Sequence, residues 1–324
     1  MSAPGRVMLC RIVPLFVLVV LLALGTARGA TVTDSERRTL VFDRPFTRIV
    51  SLYPAHTENL LRLGLDREIV ACSPADRELP DRPRVQFQDD PERILALKPD
   101  LVLIRPMISR GYPNLVRILE QHRVRVVSLQ PTTADELFAY WQDLGALTGR
   151  EAEAQAMIAD FGRNLARITA ELRPIPAEGR KRVYFESIHR QMKTFAPGSM
   201  ALFVLESAGG VNVAADAARM RETNIAAYGK ERIIARADEI DVYLAQRGRM
   251  NPVRVEDITG EPGFAVIRAV REHQVFLVDE ELVSRPTPDL LDGIVRVRAL
   301  LYPELFAAGS AGDASIQSVT EEQP

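Results

Sequence analysis

Two of the four histidines sit where a side chain could do chemistry. His56 lies in "VSLYPAHTENLL" (residues 50–61), where an apolar run stops at Tyr53-Pro54 and a polar knot leads into Leu60-Leu61. His189 lies in "FESIHRQMKTFAPGSM" (185–200), three residues after Glu186 and three before Met192. A neutral imidazole can ligate a metal, take a proton or hydrogen-bond a ligand. Pro54 suits a first helical position. That sets His56 in a first turn, where the helix dipole disfavours the charged ring. His56 and His189 facing each other across a cleft would form a contact or coordination pair for a metal complex. The plainer alternative for each is a polar loop or first-turn residue.

Arginine supplies a second set. Arg105 follows the apolar run "LVLI", Arg247 and Arg249 follow "VYLAQ", and Arg221 and Arg285 lie in polar connections. Guanidinium groups offer fixed forks of donors to carboxylate, phosphate or amide oxygens. The plainer reading of an arginine after a strand is a solvated or ion-paired one. Two glutamates form a third set. "ERILA" at 92–96 and "ERIIA" at 231–235 each precede a strand-like run, which suggests two similar lobes. Glu92 and Glu231 then head matching helices. They are either acids placed to suit a helix dipole or a pair of exposed carboxylates for a basic partner.

The elements that would hold these residues read as α/β. Short apolar runs at 49–52, 69–72, 101–104 and 124–129 alternate with helical patterns beginning near Pro54, Pro91 and Tyr112. This alternation predicts a parallel sheet with crossover helices. From Thr133, whose Thr133-x-x-Glu136 spacing is a capping box, the chain is helix-forming for about 40 residues. Gly145 and Gly149 divide that stretch. Its second part, 150–172, is rich in Ala, Glu and Arg and would form a rigid helix of about 34 Å. Beyond it, strands are expected at 183–186, 240–245 and 275–278. Helices are expected at 199–207, 225–237, 262–270 and 289–301. The expected organisation is an N-terminal lobe at 48–131, linker helices at 132–176, a C-terminal lobe at 177–306 and a disordered tail at 307–324.

Residues 1–29 read as a secretory signal peptide. Arg6 and Arg11 precede or open a 13-residue apolar run, 12–24, too short for a spanning helix, and small residues follow. Cys10 precedes that run, so it does not fit a lipoprotein cysteine. Removing Arg6, Arg11 and Arg28 and no acid leaves 38 basic against 43 acidic residues, a net charge of −5. That balance argues against a nucleic-acid partner. Cys72 remains as the single cysteine, so no intrachain disulfide can form. No phosphate-binding loop, zinc-protease motif or nucleophile elbow occurs, so nothing recommends an ATPase or a catalyst.

Taken in order, "RIVSLYPAHTENLLRLGL", "DPERILALKPDLVL", the long central helix, "AGGVN" and "SRPTPDLLDGI" resemble the ABC-importer substrate-binding proteins for iron-siderophore, haem and cobalamin. The resemblance runs from about Arg48 to Leu301. It implies two α/β lobes bridged by one long rigid helix, with the ligand in the cleft between them. It further implies a periplasmic, monomeric protein with no intrinsic cofactor. Its ligand would be a metal chelate (ferric siderophore, haem or corrinoid), and Glu92 and Glu231 would meet arginines of the membrane permease.

Ligands in such lobes meet the loops at the carboxyl ends of the strands. The expected contacts are therefore Tyr53, His56, Arg105, His189, Met192, Arg221, Arg247, Arg249 and Arg285, with Pro54, Phe87, Gln88, Pro106, Met107, Ser187 and Asn224 nearby. His122 and His273, which precede strands, read as surface residues. Two alternatives remain from the residues alone: a binder of a bare or weakly chelated transition metal through His56, His189 and Glu186, and, more distantly, a secreted metal-dependent hydrolase.

Overall fold

A computed structural model of the chain describes residues 29–220 and 223–306. The signal segment before Gly29, the tail after Phe306 and Arg221 lie outside the described residues.

The strands are β1 (Ala30–Thr33), β2 (Thr39–Phe42), β3 (Ile49–Ser51), β4 (Ile69–Cys72), β5 (Leu101–Ile104), β6 (Arg125–Ser128), β7 (Arg182–Ile188), β8 (Lys193–Phe195), β9 (Val211–Asn212), β10 (Ala218–Arg219), β11 (Ile225–Ala227), β12 (Val242–Arg247) and β13 (Val275–Asp279). The helices are α1 (Pro54–Arg62), α2 (Pro91–Leu95), α3 (Pro106–Gly111), α4 (Pro113–Gln121), α5 (Leu137–Thr148), α6 (Glu151–Ala170), α7 (Met200–Ser207), α8 (Lys230–Ala235), α9 (Val255–Thr259), α10 (Arg268–Arg271), α11 (Glu280–Val283), α12 (Leu290–Leu301) and α13 (Pro303–Phe306).

In the N-terminal lobe the sheet order is β4-β3-β5-β6, all parallel. Every residue of β3 and β5 is buried, as a sheet covered on both faces requires. Helices α1 to α4 all start on proline. Proline there lacks only a donor that would have no helical partner anyway. The C-terminal lobe has the order β10-β11-β8-β7-β12-β13, with β9 beside β7. Strands β7, β12 and β13 run parallel, while β8, β11 and β10 continue the sheet antiparallel.

One apolar core joins the two sheets. Ile49, Leu101 and Leu103 from the first, Val183, Phe185 and Leu244 from the second, and Trp141, Phe161 and Ile294 between them belong to a single cluster. The outer faces have separate cores around Val50, Val102 and Leu119 and around Tyr184, Tyr243 and Phe264. Two helices, α5 and α6, lie between the two sheets in the chain and pack on each other. Helix α6, about 30 Å long, packs on α5, and the two meet at small residues. A Cβ on Gly145 would lie 2.7 Å from that of Ala154. Gly145 therefore stays inside α5, and the break falls at Gly149, whose φ of 66° forms a left-handed cap. Helix α6 is tied in turn to α12, where Arg298 donates to the Ile168 carbonyl at 3.1 Å.

Two expected helices differ. Residues 225–227 form β11, paired with β8 through Ile225 opposite Phe195. Helix α8 starts only after Gly229, whose φ is 96°. The stretch at 262–270 is a 3-10 turn, Phe264–Val266, followed by the short α10.

Candidate functional site

The parallel strands of both lobes deliver their carboxyl ends to the candidate residues. Tyr53 follows β3, Arg105 follows β5, His189 follows β7, and Arg247 closes β12. The sequence expectations divide sharply once their partners are visible.

His56 is fully buried. Its Nε2 lies 3.1 Å from the Ile104 carbonyl and its Nδ1 lies 2.7 Å from the Tyr140 hydroxyl. A carbonyl only accepts, so Nε2 carries the proton and Nδ1 accepts from Tyr140. Asn59 donates to the same hydroxyl at 3.3 Å, to Ala55 O at 2.7 Å and to Pro286 O at 3.0 Å. Burial pushes the His56 pKa down to about 3, further than the Ile104 hydrogen bond can offset. His56 is thus a neutral structural residue in the first turn of α1. No lone pair remains for a metal or a ligand, which corrects both roles expected of it. The neutral form anticipated from the helix dipole is present, but desolvation is its main cause.

Tyr53 and Arg105 sit above this layer, both half-buried. The Arg105 guanidinium carbon is 4.2 Å from the centre of the Tyr53 ring, a cation–π contact that also fixes its orientation. The Tyr53 ring meets His56 edge-on at 5.1 Å. Arg105 has no ion pair among the described residues, and its Nε is buried without a hydrogen-bond partner. Beside it on α3, Met107 is exposed. Phe87 packs edge-on against Tyr112 with ring centres 4.8 Å apart. Tyr112 was not among the expected contacts. Its signal was the helix start at Pro113, which makes Tyr112 the exposed residue before a helix at this end of the sheet.

Arg285 has partners on both lobes. It pairs with Glu58 of α1 and, at 2.8 Å, with Glu281 of α11. Arg62 meets Asp289 at 2.5 Å, and the Pro286 carbonyl accepts from Trp141 Nε1 at 3.2 Å as well as from Asn59. Residues 285–289 are therefore an inter-lobe clasp, and Arg285 is spent on it rather than left for a ligand. Burial raises the Glu58 pKa to about 7 against the opposing pull of Arg285. Arg247 is exposed and paired with Asp279 at 2.9 Å. Arg249 is exposed.

His189 is 8% exposed. Its Nδ1 is 3.0 Å from Glu186 Oε2, its Nε2 is 3.8 Å from Glu261 Oε2, and its backbone N–H donates to Asn251. The hydrogen bond to Glu186 is the main reason its pKa lies above the ordinary histidine value. It faces the C-terminal lobe's own core, so the expected pairing with His56 across a cleft does not form. Among the described residues no group of three or more His, Cys, Asp or Glu is placed to hold a metal ion. Ser187 is also interior, donating to the Thr194 carbonyl. Met192 is half-buried, and His122 and His273 are exposed.

Glu92 and Glu231 are exposed in the first turns of α2 and α8. Two surface concavities, of about 520 and 460 Å³, lie at the amino ends of the strands. The first is lined by Lys181, Asp241, Arg268 and Gln274, with Arg268 and Asp241 already paired at 2.6 Å. Both lie away from the carboxyl-end loops, where open α/β sheets bind ligands.

Comparison with known proteins agrees with this geometry. The periplasmic binding protein family matches residues 49–282, so the chain belongs to that family. An uncharacterised ABC transporter substrate-binding lipoprotein of Bacillus subtilis is 24% identical over 282 residues, covering 85% of this chain and 86% of the relative. The vitamin B12-binding protein of Vibrio cholerae is 25% identical over 262 residues, covering 78% and 88%. Among solved structures, a possible iron-binding periplasmic solute-binding protein from Staphylococcus epidermidis superposes with a TM-score of 0.69 at 25% identity, covering 80% of this chain and all of that one.

Proposed function

We propose that the protein captures a metal chelate (ferric siderophore, haem or corrinoid) between its two lobes and delivers it to the membrane permease of an ABC importer. Family membership and the B12-binding and iron-binding relatives support the class of ligand. The observation that carries the reading to this chain is Arg105: a cation oriented on Tyr53, lacking an acidic partner among the described residues, at the carboxyl end of β5. A guanidinium so placed is ready to receive oxygen atoms of a chelate, with Tyr53 and the exposed Met107 as apolar surroundings. Met192 and Arg249, together with Arg221 outside the described residues, are the C-terminal lobe's remaining candidates for contact.

Binding without catalysis is the inferred role, in keeping with a family of binding proteins. The protein acts as a monomer exported by a cleavable signal. Glu92 and Glu231 dock onto basic residues of the permease. Charge reversal at both, Glu92→Arg with Glu231→Arg, is expected to leave chelate affinity unchanged while uptake fails. Uptake that survives the double reversal would refute the docking assignment.

A further inference from the structure

The hydrogen bonds around His189 connect two parts of the molecule that a binding protein has reason to couple. Glu186 is fully buried at the end of β7. Its Oε2 accepts from the Tyr243 hydroxyl at 2.5 Å and faces His189 Nδ1 at 3.0 Å. On the other side of the ring, Glu261 lies in the connection between α9 and the Phe264–Val266 turn. One of its oxygens is 3.8 Å from His189 Nε2, and the other holds Lys230 Nζ at 2.5 Å. Lys230 is the first residue of α8, and Glu231 is the next.

A second tie runs along the backbone. Met192 N–H donates to the His189 carbonyl at 2.9 Å, and Gly229 N–H donates to the Met192 carbonyl at 3.0 Å. Met192 holds a left-handed backbone with φ of 48°, a conformation that costs a non-glycine residue energy and persists where neighbours fix it. These two bonds fix it. The amino end of α8 is therefore fastened twice to the His189 loop, once through backbone and once through Glu261.

We propose that His189 is a positioning residue for the docking carboxylate Glu231, bridging Glu186 in the lobe's core to Glu261 and so holding the amino end of α8. The proposal rests on the docking reading of Glu231. The charged groups facing the ring are Glu186 from β7, Glu261 after α9, Lys230 on α8 and Asp257 on α9, the last engaged by Arg254 at 3.0 Å. Tyr243 from β12 completes the set. A protonated ring hydrogen-bonds Glu186 and stands at ion-pair distance, 3.8 Å, from Glu261. A neutral ring keeps at most the Glu186 hydrogen bond and leaves Glu186 and Glu261 without a cation between them. The His189 pKa is raised in the fold. The bridge is therefore complete below the ordinary value of 6.5 and is lost as pH rises through the folded value.

Hydrogen exchange of the full chain, corrected for intrinsic rates, tests this at the α8 amides. Wild-type protection over 230–235 should fall severalfold between pH 6 and pH 8.5. His189→Gln should be flat across that range at the weaker level, with α2 around Glu92 unchanged in both. Glu261→Gln removes both the contact to His189 and the Lys230 ion pair, so its α8 should be protected no better than that of His189→Gln and should be equally flat with pH. Unchanged α8 protection in Glu261→Gln, or a wild-type profile without pH dependence, would overturn the bridge. Permease association is the second readout. If Glu231→Arg associates normally, the docking reading fails and the positioning role with it, even with the exchange profile as expected. If Glu231→Arg abolishes association while His189→Gln associates as wild type at pH 6, only the positioning role fails.

Discussion

Each lobe has one buried histidine near the carboxyl end of its sheet, and the two do opposite things. His56 is surrounded by a carbonyl and a hydroxyl, both neutral, and is held uncharged. His189 lies between two carboxylates and is drawn toward its charged form. The sequence context of the two is similar: each follows an apolar strand within a few residues. What separates them is the nearest polar group, which decides whether desolvation or charge attraction wins. The contrast extends outward. Arg105, which has no ion pair among the described residues, lies above the neutral centre, whereas the charged centre of the C-terminal lobe is closed by Glu261 and Lys230.

The largest expected effect comes from breaking the neutral centre. His56→Ala removes a packed ring and leaves the Tyr140 hydroxyl without its acceptor, while the Ile104 carbonyl keeps only the Leu129 N–H. It should cost about 2–4 kcal/mol of stability in urea unfolding. Next is Arg105→Gln, which should weaken chelate binding about tenfold or more, worth about 1.4 kcal/mol or above, with stability nearly unchanged. An equal loss of stability and affinity would mean that Arg105 is structural.

The pH dependence then separates the histidines by sign. The His56 pKa is depressed in the fold, so its contribution is present above pH 6.5 and is lost as pH falls toward about 3. The slope approaches about 1.4 kcal/mol per pH unit, and His56→Gln should flatten it in urea titrations run between pH 6 and pH 4. His189 contributes in the other direction, its stabilisation fading as pH rises above 6.5. A third pH effect is at the clasp. The fold holds the Glu58 proton more tightly than the unfolded chain, with a pKa of about 7 against 4.5. Ionised Glu58 therefore costs stability as pH rises through that window. Glu58→Gln should be closest to wild type at pH 5 and increasingly more stable than it as pH rises to 8. Trp141 fluorescence, reporting the bond to Pro286, would show whether the lobes remain joined.

Much of the fold was legible in local pattern. Strands at 69–72 and 101–104 match their apolar runs because turn-forming residues bound both. The helices starting on Pro54 and Pro91 follow from proline chemistry alone. The β8–β11–β10 extension was hidden because its strands are two or three residues long and Ile-Ala-Ala suits either state. The site was less legible, for reasons of distance along the chain. Tyr140 lies 84 residues from His56, and Glu58 lies 227 from Arg285, so no local signal announces either partner. Glu186, three residues from His189, was close enough to be noticed but not close enough to show that it removes the ring from the ligand side.

The central claim is capture of a metal chelate, and visible absorption tests it most directly. The mature protein, stripped and then titrated with a ferric siderophore, haem and cobalamin in turn, should bind at least one of them in a one-to-one complex with a shifted spectrum. Arg105→Gln should weaken that same complex about tenfold or more. Spectra that remain the sum of free chelate and protein for all three, together with a colourless protein recovered from native medium, would contradict the account.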